Sequence, residues 1–90
     1  MKQLQDKIVE YGDDLTLSFE IKGTEKPLVF CIKDDNEELF YAPMQKNWDV
    51  YTIEAEEEVF SALDKGEYTY SVRIQEKPKT TIGKGKLTIE

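Results

Sequence analysis

The chain has 90 residues, of which 12 are Lys or Arg and 19 are Asp or Glu, for a net charge of −7. That length allows one domain with a modest core. The anionic surplus excludes nucleic acid and anionic membrane surfaces as partners, because phosphate binding needs a surplus of cations. With no His and one Cys, the chain lacks His-based nucleophile pairs and general bases, an intramolecular disulfide and a zinc site.

Residues 1–6 read as a free arm ahead of a single domain over 7–90, and they carry no apolar segment of the secretory kind. A short first strand over 7–11 ends at Gly12-Asp13-Asp14. Residues 15–22 then alternate cleanly, with Leu15, Leu17, Phe19 and Ile21 facing inward and Thr16, Ser18, Glu20 and Lys22 outward. Gly23 and Pro27 frame the next reversal. The stretch 28–33 is apolar on both faces, as a central strand is, and Cys31 within it is expected to be a small buried residue. Its longest apolar run, Leu28 to Ile32, is far too short to span a membrane. A turn over 34–37 leads to an edge strand over 38–44, since Pro43 cannot donate to a ladder. Gln45-Lys46-Asn47 is expected to turn the chain into a strand over 48–53.

Around residues 55–63 the period changes. Ala55, Val59, Ala62 and Leu63 fall at helical spacing, and Glu56, Glu57 and Glu58 occupy a first turn where the helix dipole favours acids. This predicts one or two helical turns crossing between sheets. Next comes the clearest strand, in which Tyr68, Tyr70, Val72 and Ile74 face one way and Thr69, Ser71, Arg73 and Gln75 the other. Tyr68 follows the turn Leu63-Asp64-Lys65-Gly66, a pattern that fits a tyrosine corner, in which the phenol hydroxyl bonds to upstream backbone. A hairpin of 67–75 with 80–90 ends the chain, and Gly83 and Gly85 suggest a bulge there.

About seven strands, without heptads or βαβ alternation, predict an all-β, immunoglobulin-like (Greek-key) sandwich with a short helical crossover near 55–63. The chain also resembles a group of small immunoglobulin-like phage proteins that includes the N-terminal domains of baseplate upper proteins and other head- or tail-attached modules. The resemblance rests on the acidic turn and short helix, on Leu63, Gly66, Tyr68 and Tyr70, on the closing Gly85-Lys86-Leu87-Thr88-Ile89, and on the opening Tyr11 to Phe19. It implies a non-enzymatic structural protein of a virion, a fibre, decoration or adaptor module that acts by docking. The partners implied are other virion proteins or a second copy of the chain, and its location is the particle, after synthesis in the host cytoplasm. The residues matched, Leu63, Gly66, Tyr68 and Tyr70, are structural. A fold of this size without a disulfide also suits a reducing compartment.

Charge is unevenly spread. Residues 1–64 carry 6 cations and 16 anions, a net of −10, whereas residues 65–90 carry 6 and 3, a net of +3. Lys77, Lys79, Lys84 and Lys86 lie on or beside one hairpin, so a basic edge opposite an acidic remainder is a candidate docking feature. The same pattern arises if the basic hairpin merely neighbours acidic strands of its own sheet, and Lys on a terminal strand guards an edge.

A second functional reading, ranked below the first, is carbohydrate binding. Tyr41, Trp48 and Tyr51 fall on or near one hairpin, and exposed aromatic faces stack on sugar rings. Trp48 followed by the Leu63-to-Tyr70 strand also resembles starch-binding modules. Against this, aromatic residues in a small domain are more often buried. Catalysis ranks last, and no cofactor or metal is expected. Asp34 to Glu38 has the acids of a calcium loop, but Leu39 stands where such a loop needs Gly, and Gln45 where it needs Glu.

Overall fold

The computed structural model describes residues 2–35, 37–55, 63–75 and 80–90, and among them nine strands and no helix occur. In chain order the strands are β1 (Lys2–Gln3), β2 (Lys7–Val9), β3 (Leu15–Glu20), β4 (Leu28–Asp34), β5 (Glu37–Pro43), β6 (Gln45–Asn47), β7 (Val50–Ala55), β8 (Gly66–Ile74) and β9 (Thr81–Ile89). They make two sheets. One has the order β1-β9-β8-β4-β5, with β2 also paired to β9, and the other has the order β3-β7-β6. β1 and β2 run parallel to β9, and the β8–β9, β4–β8, β4–β5, β3–β7 and β6–β7 pairs are antiparallel.

Taken as immunoglobulin strands, β3, β7 and β6 are B, E and D, while β9, β8, β4 and β5 are G, F, C and C′. The all-β, immunoglobulin-like expectation holds. The residues proposed for a helical crossover lie, apart from their ends at Ala55 and Leu63, outside the described residues. Of those ends, Ala55 closes β7 and Leu63 is buried.

The core forms where the alternating faces meet. Leu15, Leu17 and Phe19 of β3, Leu28, Phe30 and Ile32 of β4, Tyr51 and Ile53 of β7, Tyr70 and Val72 of β8, and Leu87 and Ile89 of β9 are all buried. Tyr68 and Ile74 pack against this cluster from its margin. Phe19, Phe30 and Tyr70 lie at its centre. Their ring centroids are 5.4 Å apart for Phe19–Tyr70, 5.5 Å for Phe30–Tyr70 and 6.2 Å for Phe19–Phe30. Antibody domains link strands B and F by a disulfide packed on a strand-C Trp, the second Cys following the corner tyrosine by two residues. Here Phe19, Tyr70 and Phe30 occupy those three strands, so packed rings, with Phe19 and Tyr70 tilted against each other, stand in place of the covalent bridge.

The corner itself is present. The Tyr68 hydroxyl donates to the Asp64 carbonyl at 2.7 Å, and Gly66 enters β8 with φ of 151°, a conformation side chains disfavour. Burial, with Asp64 and Asp34 nearby, raises the Tyr68 phenol above its ordinary pKa. Gly85 has a different task. A Cβ there would come within 2.7 Å of the Tyr70 ring and hydroxyl, so the glycine is the space into which Tyr70 folds. The register break expected at the glycines lies beside them, between Val72 and Arg73, opposite the extra residue Ile82.

Two local expectations change. Gln45–Asn47 is a strand rather than a turn, paired to β7, and the reversal falls at Trp48-Asp49. Trp favours strands by propensity, yet here its backbone is left-handed, with φ of 60°. The segment ahead of Lys7 is not a free arm within the described residues. Lys2 and Gln3 pair with Gly83 and Lys84, Leu4 is buried, its N–H donates to the Lys84 carbonyl at 2.8 Å, and the Gln5 carbonyl accepts from the Tyr70 hydroxyl. Pairing satisfies backbone groups that β9 would otherwise expose, while Leu4 adds apolar burial. It follows that β9 is an inner strand, and Lys84 and Lys86 guard no edge. The edge position of β5, anticipated from Pro43, is as expected.

Candidate functional site

The three aromatic residues nominated for recognition separate. Tyr51 is wholly buried on the inner face of β7, and its hydroxyl donates to the Thr24 carbonyl at 3.1 Å. Burial, with Asp49 and Glu25 nearby, keeps its phenol above the usual pKa. Tyr41 is 48% exposed on β5, directly across from Cys31, on the outer face of the six-stranded sheet. Trp48 is 87% exposed at the tip of the β6–β7 hairpin, on the other sheet. The one Trp of the chain is therefore a surface residue, against the expectation that it would be buried. Its turn position carries it beyond the last ladder pair, Asn47 with Val50, so neither sheet can cover it.

The lysines divide as well. Lys77 and Lys79 lie outside the described residues. Lys84 and Lys86 project from β9 onto the outer face of the six-stranded sheet, where the register sets Lys86 beside Thr69 and Thr69 beside Lys33. Acids accompany them. Lys86 Nζ is 2.8 Å from Glu67 Oε1, a contact that raises the ammonium's pKa, and the Lys86 backbone N–H donates to Asp6 at 3.3 Å. An open cleft of about 420 Å³ beside them is lined by Lys33, Lys84 and Lys86 together with Asp6, Asp34, Asp35 and Glu67. Cations and anions are interleaved there, so this region is not a uniformly basic surface. Asp34 pairs with Glu37 across the β4–β5 turn, and among the described residues no cluster of acids, Cys or His has metal-binding geometry.

Further along the same face lies a covered thiol. Cys31 is fully buried, and an Arg73 guanidinium N–H donates to its Sγ at 2.8 Å while also pairing with Glu38. Burial pushes the thiol up in pKa, with Arg73 opposing in part. A shielded, protonated thiol is a poor nucleophile. This explains how an outward-facing position on a two-layer sandwich stays dry: the Arg73 side chain lies over it.

The outer face of the three-stranded sheet contrasts with all of this. Register places Gln45, Thr52 and Ser18 in one row across β6, β7 and β3, with Asn47, Val50 and Glu20 in the next. Ser18 Oγ and Thr52 Oγ1 lie 3.1 Å apart. Glu20 is held by Lys22 at 3.3 Å. The sequence marks Thr16 and Ser18 only as wet positions. That Thr52, and through it Gln45, aligns with Ser18, and Glu54 with Thr16, follows from a β3–β7 pairing whose Ser18 and Thr52 partners are 34 residues apart, which local alternation does not encode.

Among solved structures the chain is similar to the twitchin kinase region from C. elegans (Fn31-NL-kin-CRD-Ig26), with a TM-score of 0.51 and 21% identity over 92% of this chain. It spans 14% of the length of that chain. The chain is also similar to the M1 domain from titin, with a TM-score of 0.48 and 11% identity, over 93% of this chain and 84% of that one. No protein-family model and no curated protein matches it. The likeness to the twitchin region establishes the fold, an immunoglobulin-like β-sandwich, and nothing of activity. Among the described residues no helix is long and apolar enough to cross a membrane.

Proposed function

We propose that the chain is a non-catalytic docking module that joins a neighbouring protein through the β5 side of its sandwich, and that the assembly it serves is a phage particle. The observation that carries the docking reading is the β5 edge itself. β5 is seven residues long, ends its sheet, and exposes Leu39 and Tyr41 beside a row of backbone groups available for pairing. An edge of that length accepts an added strand from a partner, main-chain bonds giving affinity and the exposed side chains giving choice of partner. The particle is supported by the resemblance carried by Leu63, Gly66, Tyr68 and Tyr70. The partner is another virion subunit or a second copy of this chain.

Particles purified from the host that encodes the chain provide the test. The chain is expected among their proteins, and Leu39→Glu combined with Tyr41→Glu is expected to remove it from them while leaving the amide spectrum of the isolated domain folded. Absence of the unaltered chain from particles, or normal incorporation of the double variant, defeats the reading.

A further inference from the structure

We propose that the outer face of the three-stranded sheet, with Trp48 at its rim, binds a neutral oligosaccharide. This is independent of the docking reading, which uses the other sheet.

Trp48 combines two features that folding disfavours. Its indole is 87% exposed, and its φ of 60° lies in the left-handed region, where Gly or Asn is far less strained. No ring stacking or cation contact engages it among the described residues. A bulky residue kept in a strained and solvated position points to a role outside the fold.

The neighbouring surface indicates the ligand. Gln45, Thr52 and Ser18 form an uncharged row, with Asn47 in the row nearest Trp48 and Thr16 beside Glu54 on the far side. Successive rows on one face of a sheet are about 7 Å apart. Hydroxyl and amide groups both donate and accept, as the hydroxyls of a sugar do. A charged ligand would call for a concentration of one charge, whereas Glu20 and Glu54 stand two rows apart and Lys22 already engages Glu20. A protein partner would call for an apolar centre enclosed by polar residues, whereas Val50 is the single apolar side chain in these rows. An indole face for the C–H side of a pyranose, beside a flat array of neutral hydrogen-bonding groups, fits an uncharged glycan chain. Tyr51, buried in the core, takes no part, and Tyr41 belongs to the other sheet.

The full chain, whose only Trp is the reporter, can be titrated with cellohexaose, maltohexaose and chitohexaose at millimolar concentration. At least one is expected to change Trp48 emission and to shift the amides of Ser18, Gln45, Asn47 and Thr52. Trp48→Gly, read by amide shifts, and Thr52→Val, read by emission, are each expected to weaken that binding by about tenfold or more. The Thr52 variant keeps the test intact if the turn variant misfolds. The proposal is overturned if none of the three sugars produces a change, if neither variant weakens binding, or if the shifts map to the β5 face.

Discussion

Two groups of aromatic side chains do opposite things in this domain. Phe19, Phe30 and Tyr70 lie centroid to centroid within 6.2 Å in a dry interior, while Trp48 stands in solvent on a strained turn. The difference shows that residue type does not assign cohesion or recognition. Position on the pleat does so for the first group, because β3, β4 and β8 each turn one face inward. A reversal does so for Trp48, because a two-residue turn points away from both layers. The interior trio also shows how a sandwich holds together without the bridge between B and F strands: three rings bury large apolar areas and their packing is independent of redox conditions.

The largest disturbance of this contrast is Tyr70→Ala. It removes a fully buried ring and leaves the Gln5 carbonyl without its donor, and a loss of about 3–5 kcal/mol is expected in urea unfolding. A loss below about 1 kcal/mol, within the range of surface substitutions and minor repacking, would mean that the trio is not the centre of cohesion. Gly85→Ala sharpens the same point from the opposite strand. Its new methyl meets Tyr70 at 2.7 Å, and the ring cannot retreat between Phe19 and Phe30. Overpacking of this kind is expected to cost about 1–3 kcal/mol, measured by the shift in the denaturation midpoint. At the other end of the comparison stands Trp48→Gly. Relief of the left-handed strain is expected to leave stability unchanged or to raise it by about 1 kcal/mol. The unaltered chain should show long-wavelength Trp emission that iodide quenches. Blue-shifted, protected emission would place the indole in the core and erase the contrast.

Much of the fold was legible beforehand, for a specific reason. Period-two alternation in residues 15–22 and 67–75 reports which face is dry, and Leu63-Asp64-Lys65-Gly66 before Tyr68 announces the corner, since both are short-range properties. Pro43 likewise marks an edge through its missing N–H. Less of the candidate sites was legible. Propensity placed Trp48 within a strand and among buried residues, whereas the turn geometry put it outside. The basic hairpin looked like a charged edge until strand order set Glu67 beside Lys86 and laid β1 and β2 along β9.

By itself, the sequence determined that this chain is a small, acidic, all-β sandwich with its strongest strand anchored at Tyr68. Alternation, turn chemistry and composition act within a few residues, and these features need nothing more. Only the tertiary structure decided that Gln45, Thr52 and Ser18 share a row, that Arg73 covers Cys31, and that Tyr70 reaches both Gly85 and Gln5. Apart from Gln45–Thr52 and Tyr70–Gly85, which join consecutive antiparallel strands, those contacts link residues distant along the chain. Their meeting is set by strand order and register, which no local pattern carries.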